Sequence, residues 1–527
     1  MHAVQAFELI LVLLAVIVGL HWLAIKLRWP PATALLVGGG ALAFVPGLPV
    51  VSLDPELALV LFLPPLLMDG AYYTALGRFR RHLPGILSLA VGAVVFTTLA
   101  VGVVAHWIMP GLPWAACFAL GAIVSPPDAV SARAVLKGVT LPRRVTALLE
   151  GESLLNDATG LILFRFAVAA TLSGVFHVGE AVQSFTIVAI GGAVVGAAMG
   201  RLWVFVTRRL QDRVLVVIAH VTLCWVAYLA GEAAHVSGVI ATVAAGLVLG
   251  WYQHVVLSAD TRLVGNSVWQ MLVFILEAFV FVLIGFSLRG AIERFGGIAA
   301  IPASTIQMIV GVVLTIVIAR FVWIFAAEGL LELGRRLGAK RARPLGWRQA
   351  TVLSWAGMRG VVTLAVPLTL PADMPGRDLM LICAFAAIFA TVVIQGSSLG
   401  WLIRRIRPVD ADPPAKMTMA AAEGAMARAR MTVIEARAYD EDGTLVHPYM
   451  LEEARKRMRF MERYEQDAGT EMDNLRPHFD IVIAAIAASR AELIRIHRAG
   501  LIEDEVLHEL ERDLDIEQMA MIFQRGE

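Results

Sequence analysis

Five polar residues crowd three turns of one apolar stretch, VTALLEGESLLNDATGLILFRFAVAATL: Glu150, Glu152, Ser153, Asn156 and Asp157. Helical spacing puts Ser153, Asn156, Asp157 and Gly160 on one face, by i, i+3, i+4 and i+7. An ionisable group at bilayer depth is costly and marks a functional site. A carboxylate there has one simple chemistry, reversible neutralisation by a proton or a small hard cation. A second stretch, WAACFALGAIVSPPDAVSARAVL, carries Ser125, Pro126, Pro127 and Asp128. The two prolines remove amide donors and break the helix. The break frees carbonyl oxygens suited to an alkali cation. Asp128 can cap the amides of the helix half that follows. In a third stretch, QATVLSWAGMRGVVTLAVPLTLP, Gly357 and Gly360 flank Arg359 at mid-depth. Arg359 either offsets helix-end carbonyl charge or forms a second ion pair. Arg320 and Glu152 fall at matching depths, so a buried pair between them is expected, holding its helix in place. Glu277, in FILEAFVFVLIG, is a further mid-membrane carboxylate that could line an access path or be structural.

The elements that must position these groups follow from hydropathy. The chain has 527 residues, 58% hydrophobic and 17% charged. A membrane-spanning helix needs about 20 apolar residues. Thirteen stretches qualify, at 7–26, 32–44, 56–73, 84–108, 114–136, 145–172, 183–207, 213–232, 236–251, 266–288, 302–326, 348–371 and 379–403. The second and ninth are short and glycine-rich. The first has no basic lead and no cleavage site, so it reads as a retained helix. Asp157 lies 13 residues past Arg144, about 20 Å along a helix and near mid-membrane. Cys117, Cys224 and Cys383 all sit in apolar stretches, as small core hydrophobes.

Loop charge tests the helix count. Alternate loops carry 22 Lys or Arg residues on one side and three on the other. Losing one helix would break that alternation. By the positive-inside rule the N-terminus is outside and the C-terminal tail cytoplasmic. Residues 1–407 hold 29 basic and 18 acidic residues, a net of +11. Residues 408–527 hold 15 basic and 25 acidic, a net of −10. The expected division is therefore a transmembrane domain, 1–407, and a helical cytoplasmic domain, 408–527. Tail helices are expected near 417–438, 446–466, 478–499 and 503–523. The interrupted segments five and twelve are seven apart in order. Two six-helix repeats joined by segment seven would then have opposite topology, an all-α inverted-repeat transporter with two broken crossing helices.

The motifs GAIVSPPDAV, EGESLLNDATGLILF, FLPPLLMDGAY and SWAGMRGVVTLA together resemble the signatures of the monovalent cation:proton antiporters of the sodium/proton exchanger type. The resemblance covers residues 1–407. It implies a thirteen-helix fold, a homodimer and an elevator-like movement of a core bundle. It further implies that Asp157 binds the ion, that Ser153 and Asn156 support it, and that Glu152 pairs with an arginine of helix eleven. The Asn156–Asp157 pair matches the electroneutral branch. Two positions depart from the pattern. Pro127 stands where the family often has threonine, so only backbone oxygens or Ser125 could serve there. Ala129 stands where the family has proline.

The function so implied is exchange of one sodium ion for one proton, both competing for Asp157. Either ion neutralises the site so that it can cross, whereas a bare carboxylate is expensive to bury. A potassium/proton antiporter of the same fold is the alternative, and lithium is a further possible ion. An intramembrane aspartyl protease using Asp128 and Asp157 lacks the Gly-x-Gly-Asp context, and a cation channel lacks a charge ring or carbonyl filter. No cofactor, enzyme activity or nucleic-acid partner is expected. The expected setting is a bacterial inner membrane.

Overall fold

The computed structural model describes the chain apart from residues 1–2, 28, 46–54, 129–140, 175–177, 295–296, 298–299, 339–342, 372, 411–416, 467 and 526–527. It forms two compact units, Met1–Asp412 and Pro413–Glu527.

The first unit is built from α1 (Ala3–Leu27), α2 (Pro31–Ala43), α3 (Pro55–Tyr72), α4 (Leu76–Ile108), α5 (Trp114–Val124), α6 (Arg143–Ser173) and α7 (Val178–Thr207). It continues with α8 (Arg213–Ala233), α9 (Gly238–Val256), α10 (Ala259–Arg294) and α11 (Ala303–Arg336). The helix α12 comes in two halves, Trp347–Trp355 and Val361–Leu368, and α13 spans Arg377–Ile406. Nine of the described helices are long and apolar enough to cross a membrane, and three shorter apolar ones lie at α2, α3 and α5. With the interrupted α12 they make thirteen crossings, in the order hydropathy predicts. Six crossings, an even number, lie between α5 and α12, so α5 and α12 traverse in opposite directions. Two features were not legible in the hydropathy. Each of α4 and α13 contains a turn of π-helix, at Ser88–Ala93 and Thr391–Gln395.

Packing divides these helices into two groups. In one, α9 lies against α7, α3 and α8, and α10 against α2. In the other, α4 packs on α5 and α11, α5 on α6, and α12 on α11 and α13. Close approach in the first group depends on small residues. A side chain at Gly196 of α7 would strike the Ala241 carbonyl of α9, the kind of small-residue contact that helices use when lipid supplies no hydrophobic drive. In the second group, Leu120, Ile123, Leu154, Met308, Val312, Ile316 and Cys383 share one buried cluster. On α11 the opposite stripe, Val310, Leu314 and Ile318, is exposed, as a lipid-facing surface should be. All three cysteines are buried and unbridged.

The second unit holds α14 (Met419–Arg437), α15 (Pro448–Gln466), α16 (Ala468–Arg498) and α17 (Asp504–Arg525). Here one boundary differs from expectation. The third tail helix begins at Ala468, ten residues before the predicted start, and keeps Pro477 inside it. A proline costs a helix one amide donor and bends it, but it need not end it.

Candidate functional site

The site is where the end of α5 meets the interruption of α12. The first described half of α5 ends at Val124 because Pro126 and Pro127 follow, and residues 125–128 are not helical. The half-helix that Asp128 would cap, including Ala129, lies outside the described residues. In α12 the chain leaves the helix at Trp355 and re-enters it at Val361. The Asp128 backbone N–H donates to the Met358 carbonyl at 2.7 Å. Gly360 lies so close to the Asp128 carboxylate that a Cβ there would collide with it.

Arg359 joins the two breaks. It is buried, and its Nε donates to the Val124 carbonyl at 2.6 Å while Nη1 donates to the Gly357 carbonyl. The first is the carbonyl end of the described α5 helix, and the second lies in the α12 interruption, two residues past Trp355. Of the two roles open to it, Arg359 takes the first, offsetting helix-end charge. Among the described residues it has no ion pair. Its own backbone N–H donates to Thr391 Oγ1 at 3.0 Å, a hydroxyl on the π turn of α13.

The helix α6 packs against the first break. Gly160 abuts Pro126, with no room for a side chain. Asn156, fully buried, donates from Nδ2 to the Pro127 carbonyl, and its Oδ1 has no partner among the described residues. The carbonyl freed by the prolines is thus held by an amide. Ser125 is turned elsewhere. Its buried hydroxyl accepts from Thr98 of α4 at 3.0 Å, and it does not line the cavity beside the break.

That cavity is walled by Leu63, Leu66, Leu67 and Gly70 of α3, by Pro126 and Asp128, by Glu150, Ser153, Leu154 and Asp157 of α6, and by Gly360, Val362 and Thr363 of α12. Glu150 and Asp157 are seven residues apart on one face, so the polar wall of α6 extends about 10 Å. Asp157 has no hydrogen bond or ion pair among the described residues. Carboxylate and hydroxyl oxygens on one wall form a donor set suited to a small hard cation. Glu277 is half-buried on α10 and does not line this cavity. Neither Thr363 nor Thr391 stood out in the sequence, because a threonine in an apolar helix is unremarkable until its neighbours are known.

Glu152 faces away from the cavity. Arg320 of α11 meets it with both terminal nitrogens, Nη1 to Oε1 at 2.5 Å and Nη2 to Oε2 at 2.8 Å. Its Nε donates to the Leu353 carbonyl of α12 at 3.3 Å. Glu152 and Arg320 are 1% and 4% exposed, so each needs the other to be tolerable there. Gly357 gives the Arg320 side chain its space.

Thirteen apolar crossings, with the end of α5 meeting the interruption of α12 beside half-buried carboxylates, define a secondary transporter. The chain belongs to the sodium/hydrogen exchanger family, whose transmembrane pattern matches residues 12–405. It is accordingly a cation/proton antiporter and not an enzyme. It is 31% identical over 503 residues to a protein of Escherichia coli named an uncharacterized Na+/H+ exchanger, YjcE, covering 90% of each chain. It is 33% identical over 407 residues to a sodium, potassium, lithium and rubidium/H+ antiporter of Bacillus pumilus, covering 74% of this chain and 60% of that one. Among solved structures, the sodium proton antiporter MjNhaP1 of Methanocaldococcus jannaschii superposes with a TM-score of 0.61 at 18% identity, over 77% of this chain and 99% of that one. That likeness speaks for the fold.

Proposed function

We propose that the protein exchanges one sodium ion for one proton, electroneutrally, at a single carboxylate, Asp157. The observation that carries this reading is the contrast in partners. Asp157 stands on a cavity wall where the end of α5 meets the interruption of α12, without hydrogen bond or ion pair among the described residues. A proton or a sodium ion neutralises it, and the neutral site can move through a low-dielectric barrier that a bare carboxylate crosses poorly. That asymmetry couples the two fluxes. Ser153, on the same wall, is an oxygen ligand. Asn156 acts one step back, by fixing the Pro127 carbonyl. Asp128 lines the cavity from the α5 side. Alternating access follows from sliding of the α4–α6 and α11–α13 group against the other helices.

We further place the N-terminus outside and residues 408–527 in the cytoplasm, on the basic-loop bias. The protein then sits in the plasma membrane, and by family resemblance works as a homodimer. A potassium/proton antiporter is the second reading, favoured by the Bacillus relative whose name includes potassium, lithium and rubidium. The test is dissipation of a proton gradient in everted vesicles, with sodium, lithium and potassium added separately. Asp157→Asn should abolish the response to every ion. Sodium/proton exchange surviving in that variant would end the single-site reading.

A further inference from the structure

Among the described residues the cavity wall carries five polar side chains, Asp128, Glu150, Ser153, Asp157 and Thr363. Four belong to the α5 break or to α6. Thr363 alone comes from α12. A helical threonine ordinarily returns its hydroxyl to the carbonyl four residues back. Thr159, Thr171 and Thr315 do so, donating to Leu155, Ala167 and Gly311. Thr363 does not. Four residues back is Arg359, which stands in the interruption, and the half-helix starts only at Val361. Gly360, between them, is extended at φ −140° and ψ −148°. The acceptor that would tie down the hydroxyl is therefore out of helical register. Thr363 is 1% exposed, yet it has no hydrogen-bond partner among the described residues. It lines the cavity, where a hydroxyl without a protein partner is open to a ligand from that space.

Several other oxygens at the breaks are already engaged. The Pro127 carbonyl accepts from Asn156, the Val124 and Gly357 carbonyls from Arg359, and the Ser125 hydroxyl from Thr98. We infer that Thr363 Oγ1 is a ligand of the transported cation, acting together with the Asp157 carboxylate. As a neutral, hard oxygen it replaces one water of the ion's hydration shell without adding charge. One-for-one neutralisation of Asp157 is thereby preserved. Because the hydroxyl stabilises a cation more than a proton on that carboxylate, it sets which ion competes well. The helix break itself creates the ligand, by depriving the threonine of its usual acceptor.

This inference rests on Asp157 being the shared site, and the experiment separates the two. Wild type, Thr363→Val, Thr363→Ser and Asp157→Asn are compared in everted vesicles, with sodium, lithium and potassium titrated separately. Thr363→Val should raise the KM for sodium about tenfold, with kcat within about twofold, and should alter the ranking of the three ions. Thr363→Ser, which keeps the hydroxyl, should return KM to within about threefold of wild type. Thr363→Ala, which adds no methyl in place of the hydroxyl, carries the same expectation if the valine variant does not reach the membrane. An unchanged KM in these variants, beside an inactive Asp157→Asn, overturns this inference alone. So does a fall in kcat that serine fails to rescue, which is the mark of a packing role. Exchange persisting in Asp157→Asn overturns the shared-site reading, and this inference with it.

Discussion

Two carboxylates five residues apart on α6 live in opposite circumstances. Glu152 is saturated, with a guanidinium against both oxygens, and does not line the cavity that holds Asp157. Asp157 faces open space and has neither hydrogen bond nor ion pair among the described residues. Both are acidic groups in an apolar bundle, so burial alone does not tell a structural charge from a working one. What separates them is whether the neutralising partner is part of the protein. A built-in cation ties α6 to α11 and α12 permanently. Where none is built in, as at Asp157, the proposed mobile ion would supply the neutralising charge.

The comparison can be broken most sharply at its two ends. Asp157→Asn should eliminate exchange while leaving Tm equal to or above wild type, since it removes a charge that has no internal partner. A large drop in Tm would make Asp157 a structural residue after all. Arg320→Ala should do the reverse. Stranding Glu152 should destabilise the membrane unit by about 3–5 kcal/mol, read as a lower Tm in detergent and poor recovery of folded protein. Replacing both partners, Glu152→Met with Arg320→Met, should recover most of that loss, because the stranded charge is gone. A double variant as unstable as the single one would mean that the pair contributes more than mutual neutralisation.

A smaller effect is expected where the two breaks touch. Gly360→Ala places a Cβ against the Asp128 carboxylate. The overpacking should cost about 1–3 kcal/mol. The loss should appear mainly in transport rate, measured against the amount of folded protein, because the displaced group lines the cavity that holds Asp157. The smallest effect belongs to the tail. Arg495 beside Glu492 holds that carboxyl below the usual range by a side-chain hydrogen bond, but the pair is fully exposed. Exposed pairs contribute little. Glu492→Gln should therefore leave both exchange and Tm at wild-type values, and a measurable change in either would point to a role for that surface.

Much of the architecture is legible in single stretches of chain. Apolar runs of about 20 residues with alternating loop charge specify thirteen crossings, since a backbone in lipid must satisfy its own hydrogen bonds. Pro126 with Pro127, and Gly357 with Gly360, mark the two interruptions for the same local reason. Equal depth on α6 and α11 points Glu152 toward Arg320, and the two side chains do meet. Ser125 shows the limit of such reasoning. As a hydroxyl beside a helix break it reads as a candidate ligand, but its rotation about the chain turns it to Thr98.

Hydropathy, helix periodicity and helix breakers depend on neighbours within a few residues, and the sequence by itself therefore determines which segments span, where they fail and how deep each charge lies. It does not determine what meets what across the bundle. The breaks at 125–128 and 356–360 lie more than 200 residues apart, and only packing brings Arg359 to the Val124 carbonyl and leaves Thr363 without an acceptor on the wall that holds Asp157. Those contacts depend on helix rotation and crossing angle, which are decided by the fit of all thirteen helices together.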